Sequence, residues 1–171
     1  MSSIINILNK YPYRKIVWLL AITETLHNIE EAIWLPGWSK SAGMWHPPVN
    51  PFEFRFAVAA ITLLIYGIIY YFSKKYSNIS KYLMAGSLAI ILFNVLMPHL
   101  LATIITGRYT PGVVTGLLFN VPATLYLLQR GIRESIYNTR TLVYGSVAFA
   151  IISYPLLSIL FIIGNYVGKL L

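Results

Sequence analysis

Three stretches of this chain, residues 56–72, 82–105 and 142–167, contain no Asp, Glu, Lys or Arg. At 1.5 Å per residue, about 20 such residues in a helix cross roughly 30 Å of hydrocarbon. Inside a bilayer the backbone must satisfy its own polar groups, and helices do so within a single segment. A soluble domain carries about 25% charged residues, whereas this chain carries 11% and is 57% hydrophobic. A chain of 171 residues cannot hide that much apolar surface in a core surrounded by water. The sequence therefore predicts an all-α integral membrane bundle, one transmembrane domain over residues 1–171.

Five spans are expected, at about residues 16–34, 52–72, 82–105, 111–128 and 142–167. The basic residues divide unevenly between their two ends. Lys10, Arg14, Lys15, Lys74, Lys75, Lys81, Arg130, Arg133 and Arg140 fall on one side, against Lys40, Arg55, Arg108 and Lys169 on the other, nine against four. The positive-inside rule then puts the N-terminus in the cytoplasm and the C-terminus outside. Topology accounts for the net charge of +8, so membrane lipids and not nucleic acid are the expected partners. Tyr11, Tyr13, Tyr70, Tyr71, Tyr76 and Tyr82, near span ends, suit an interfacial aromatic belt. No small-residue cleavage site follows the first span, which is expected to be retained. The absence of Cys excludes disulfides and thiolate ligands within the chain.

The first span breaks the apolar pattern. Its sequence "AITETLHNIEEAIWLP", residues 21–36, holds three of the chain's five carboxylates and one of its three histidines. At about 100° per residue, Glu24, His27 and Glu31 lie within about 60° of one another, and Glu30 lies about 60° beyond His27. Ile22, Leu26, Ile29 and Ile33 occupy the opposite arc. An ionisable residue at the centre of a membrane helix costs about 2.5–3.5 kcal/mol. Four on one arc must turn inward and be paired, protonated, hydrated or bound to metal.

Other spans offer groups at matching depth. Asn94 and His99 flank Pro98 in the third span, and Asn120 precedes Pro122 in the fourth. On an ideal helix Asn94 and His99 point about 140° apart, so only a distortion at Pro98 brings both inward. Glu53 and Arg55 open the second span on the outer side, where Glu53 could reach the site from above. His46 lies in the outer loop. The pair Gly112-x-x-x-Gly116 opens the fourth span and reads as ordinary close helix packing.

The segment "HNIEE" fits the pattern H-x-x-E-E. With several hydrophobic spans in a short chain, it resembles the HXXEE family of small prokaryotic membrane proteins. The resemblance implies a multi-pass protein of the prokaryotic plasma membrane and gives weight to His27, Glu30 and Glu31. It implies enzymatic function without naming a reaction. The family is associated with a further Asn-x-x-x-His element; here "NVLMPH" puts four residues between Asn94 and His99.

Three functional readings follow. The first is a metal-dependent intramembrane enzyme, hydrolytic or lipid-modifying, acting on a lipid-like or small hydrophobic substrate. His27 and Glu31 are four apart, the spacing that sets two zinc ligands on one helical face. His99 supplies a third ligand, Glu24 an additional carboxylate, and Glu30 the general base, with His27 shared between ligation and catalysis. Asn94, Asn120 and Glu53 are the supporting or substrate-facing groups. Zinc is favoured over iron, because the half-pattern Glu24-x-x-His27 lacks the second Glu-x-x-His of a di-iron site. The second reading is a metal-free acid–base catalyst of isomerase type, with the clustered carboxylates dividing the two roles. The third is a non-enzymatic carrier of a cation or amphipathic amine. The oligomeric state is open.

Overall fold

A computed structural model describes residues 2–170. Among these residues every regular element is helical and no strand occurs. The elements run α1 (Ser2–Leu8), α2 (Tyr13–Ile16), α3 (Trp18–Trp38), two 3₁₀ turns, α4 (Pro51–Lys74) and α5 (Asn78–Asn94). A π-helical segment, Val95–Leu100, then leads into α6 (Leu101–Thr106). After a loop come α7 (Val113–Thr115), a second π segment, Gly116–Asn120, then α8 (Val121–Arg133) and α9 (Thr139–Gly168).

Local chemistry sets the boundaries. Asn50 caps α4 by accepting from the backbone N–H of Phe52 and Glu53, and Pro51 follows where its missing N–H costs nothing. Ser77 and Ser80 form a reciprocal capping box at the start of α5. Asn138 caps α9 through the Thr141 N–H. Gly107, at a φ of +62°, follows α6 in the left-handed conformation that Gly adopts without a Cβ penalty.

Three helical runs are long and apolar enough to cross a membrane: Pro51–Lys74, Asn78–Thr106 and Thr139–Gly168. Two of the five expected spans fall short. The first expected span corresponds to α3, which has the length but carries Glu24, Glu30 and Glu31. The fourth is broken by the π segment between α7 and α8.

The buried apolar core gathers around the first turns of α3, the second half of α4, the stretch of α5 from Met84 to Ile91, and the middle of α8. Leu20, Ile69, Phe72, Met84, Leu88 and Leu127 are its most enclosed members. Beyond Ala21 the inward face of α3 turns polar and stays so until Leu35. Its opposite face is the expected apolar one, with Ile22, Leu26, Ile29 and Ile33 exposed.

The core end is tied together by polar groups. Tyr13 is buried, not part of an interfacial belt; its hydroxyl donates 3.0 Å to the Leu127 carbonyl and lies 3.1 Å from the Tyr137 hydroxyl. Arg130 is likewise buried, donating to the carbonyls of Leu8 and Tyr11 and to the Glu134 carboxylate.

The last helix, α9, lies at the rim. Only Thr141, Gly145 and Gly164 of its residues are buried. It crosses α5 where Gly145 meets Gly86, so closely that a Cβ on Gly145 would stand 2.6 Å from the Tyr82 carbonyl oxygen. Two glycines let backbones approach that near.

Candidate metal centre

The polar face of α3 meets the broken run between α5 and α6. At Met97 the backbone leaves the helical region, with φ −141° and ψ 111°. Pro98 offers no N–H and crowds the preceding turn, which accounts for a break here. Its effect is to bring Asn94 and His99 to one point, with Asn94 Nδ2 3.3 Å from His99 Nε2. The distortion that inward-facing Asn94 and His99 require is thus present.

Three side chains converge there. His99 Nε2 lies 2.8 Å and His27 Nε2 3.5 Å from Glu31 Oε1. One donor atom from each of His27, Glu31 and His99 lies within 4.8 Å of the others, and all three residues are buried. The two imidazole rings meet edge-on, with centroids 5.2 Å apart. Donors around a tetrahedral zinc at roughly 2.1 Å are about 3.4 Å apart, so the spacing suits a metal ion.

Glu30, the next carboxylate on the same helix, turns away from that centre. Its Oε1 accepts from the Tyr109 hydroxyl at 2.5 Å and the Gly112 N–H at 2.9 Å. Its Oε2 accepts from the Thr115 N–H at 2.8 Å and the Thr115 hydroxyl at 2.5 Å. A carboxylate with both oxygens committed in this way is an anchor for the 109–115 segment. It departs from the free general base expected of it. Burial and the adjoining Glu30 carboxylate both push the Tyr109 phenol well above its ordinary value, so it remains a donor.

The anchored segment completes the site. Thr115 Oγ1 lies 3.4 Å from His27 Nδ1. Gly112, at a φ of +94°, lies against both rings; a Cβ there would stand 2.8 Å from His27 Cε1 and 2.9 Å from His99 Cε1. Only glycine fits that conformation and that gap. Tyr109, Gly112 and Thr115 were not anticipated as site residues. The single available signal was the Gly112-x-x-x-Gly116 pair, which suggested only helix packing.

Two expected members lie elsewhere. Glu24 sits one turn before His27, outside the three-residue cluster, and its Oε2 accepts 2.8 Å from Asn120 Nδ2. Asn120 therefore reaches α3, but through Glu24. Its Oδ1 and the nearby Thr124 hydroxyl are buried without a protein partner. Glu53 is outside the three-residue cluster and turns to the last helix. It caps the far rim, accepting from Asn165 Nδ2 of α9. Its position at the start of α4 orients it to the last helix, which the sequence pattern could not show. Arg55 donates to the Ala32 carbonyl at 3.0 Å, and His46 stays in its loop.

Comparison with known proteins concerns this same part of the chain. A family model described as "Protein of unknown function with HXXEE motif" matches residues 18–127. That stretch contains His27, Glu30, Glu31, Asn94, His99, Gly112 and Thr115, and stops before α9. The chain is also similar to a protein of Bacillus subtilis (strain 168), "Uncharacterized protein YrkK". The two are 37% identical over 148 residues, covering 84% of this chain and 92% of that one. No solved structure matches.

Proposed function

The chain belongs to the family of proteins of unknown function with the HXXEE motif, and from that premise we propose that it is a membrane-embedded, metal-dependent enzyme acting on a lipid-like or small hydrophobic substrate. One observation carries this reading: His27 Nε2, Glu31 Oε1 and His99 Nε2 converge in a buried site between helices. Two imidazoles and one carboxylate form a donor set shared by catalytic zinc and non-haem iron sites. Zinc is the favoured ion, since Glu24 is engaged with Asn120 and adds no carboxylate to the centre. A bound ion would supply Lewis-acid polarisation of a substrate oxygen. The protein's own part is to orient His27 through Thr115, to hold the 109–115 segment by Glu30, and to enclose the centre with Gly112.

Access fits a substrate arriving from the bilayer or its outer surface. Trp38, Trp45, Arg108 and Tyr109 line an open pocket of about 380 Å³. Tyr109 leads from this pocket to Glu30. Its walls combine the aromatic rings of Trp38, Trp45 and Tyr109 with the polar groups of Ser41, Thr106 and Arg108, a mixture that suits an amphipathic, lipid-like molecule. In this proposal all five expected spans cross the cell membrane, with α3 carried by its neighbours, the N-terminus in the cytoplasm and the C-terminus outside.

The test is metal analysis of the purified protein after chelation and reconstitution with zinc. One equivalent is expected, and His27→Ala, Glu31→Ala and His99→Ala should each lose it. A wild-type protein that retains neither zinc nor iron would end the metal reading. The direct 2.8 Å contact between His99 and Glu31 would then stand as the acid–base pair of a metal-free catalyst.

A further inference from the structure

Asn94 is placed as no merely supporting residue needs to be. Its amide nitrogen position is 3.2 Å from His27 Nε2 and 3.3 Å from His99 Nε2. Those distances lie between the two His–Glu31 separations of 2.8 and 3.5 Å. Four heavy atoms from His27, Glu31, His99 and Asn94 are therefore linked in a closed ring of contacts of 2.8–3.5 Å. Three of the four spacings lie near the roughly 3.4 Å between donors on a tetrahedral ion at about 2.1 Å, and the shortest, His99 to Glu31, would open slightly on binding.

Hydrogen-bond accounting sharpens the assignment. With the NH₂ end inward, Asn94 would donate to His99 Nε2, which must then be an acceptor. The Glu31 oxygen 2.8 Å from the same nitrogen needs it to be a donor. One ring nitrogen cannot serve both at once. A half-turn of the amide exchanges its two ends without moving the group, and Oδ1 then occupies the inward position. With a cation in place of the Nε2 proton, the lone pairs of two imidazoles, one carboxylate and one amide oxygen would face a common centre.

We propose that Asn94 Oδ1 is the fourth protein ligand of the metal centre, making it an N₂O₂ site for a divalent cation such as zinc. This rests on the metal reading above and adds a ligand to it. The neutral amide is the weakest of the four donors, and so it is the one a substrate oxygen would replace. A catalytic site needs such an exchangeable position.

The experiment uses the full-length protein in detergent, freed of metal and titrated with Co(II), whose visible absorption reports coordination. Wild type should bind one equivalent with an intense band. Asn94→Ala should lower affinity by about 100-fold or more, beyond the roughly 10–100-fold that loss of an outer hydrogen-bond partner typically costs. Its band should also shift and weaken. Asn94→Asp, which restores an oxygen, should recover both affinity and band. Wild-type affinity and spectrum in Asn94→Ala, or an Asn94→Asp variant as impaired as Asn94→Ala, would overturn the assignment while leaving the three-ligand centre intact. Failure of the wild type to bind any cobalt or zinc would instead overturn the metal reading itself, and the proposal with it.

Discussion

Thr115 stands between two groups that need opposite things from it. Its hydroxyl lies 2.5 Å from Glu30 Oε2 and 3.4 Å from His27 Nδ1. With its proton directed to the carboxylate, its oxygen is free to accept from His27 Nδ1–H. That choice leaves the Nε2 lone pair facing Glu31, as a metal ligand requires. Thr115→Val should therefore weaken zinc binding about 10–100-fold in a competition titration, and Thr115→Ser should recover it. Equal affinity in the Val variant would remove the hydroxyl from this role. A second residue prediction concerns alkaline pH. Burial, opposed by Arg14, pushes the Tyr76 phenol up to about 12, and burial pushes Tyr13 higher still. A phenol raised in the folded state stabilises it fully below the ordinary value of about 10 and loses that contribution as pH rises through the folded value. The melting temperature should fall between pH 10 and 12, and fall less in Tyr76→Phe. A flat profile in the wild type over that range would refute the linkage.

At the scale of elements, the broken helix and the rim helix make different contributions. The break between α5 and α6 builds the candidate centre, whereas among the described residues α9 makes no hydrogen bond to it and bonds to α4 through Asn165 and Glu53. Gly145→Leu should force α9 away from Tyr82 and Gly86 and lower the melting temperature by several degrees, about what 1–3 kcal/mol of overpacking brings. Metal affinity should be unchanged; a parallel loss of metal would show that α9 supports the centre after all. Hydropathy located α4 and α9 to within three residues, because long uncharged runs leave one interpretation. It was less apt for residues 111–133. There the chain passes through a loop, one turn of α7 and a π segment, and no periodic pattern encodes a folded-back turn.

For the whole molecule, the polar arc of α3 was legible because a helix has a fixed angular repeat. Inwardness follows from that repeat, but partners do not. Glu24, His27, Glu30 and Glu31 share an arc, yet the structure gives them three destinations: Asn120, the His99 cluster and the 109–115 loop. Glu53 was expected to reach the site from above, but its place at the start of α4 did not reveal that the last helix, with Asn165, stands beside it. The lack of any native Cys makes the proposed topology open to direct measurement. Single substitutions Ser41→Cys and Lys75→Cys lie in exposed loops on opposite sides of the proposed membrane. In intact cells an impermeant maleimide should label the first and not the second, and the reverse pattern would invert the orientation.

The interruption at Met97 has a mechanical consequence. Asn94 ends one rigid rod and His99 lies across the joint, near the start of the next. An ion gripped by both, and by His27 from a third rod, would act as a pin through a hinge. Without it, α6 would be able to swing about the joint; with it, that motion would be locked. Backbone amides of Leu101–Thr106 should therefore exchange with deuterium more slowly when zinc is bound, although none of them touches the ion. Release of product and opening of the Trp38–Trp45 pocket would then be the same movement, seen from its two ends.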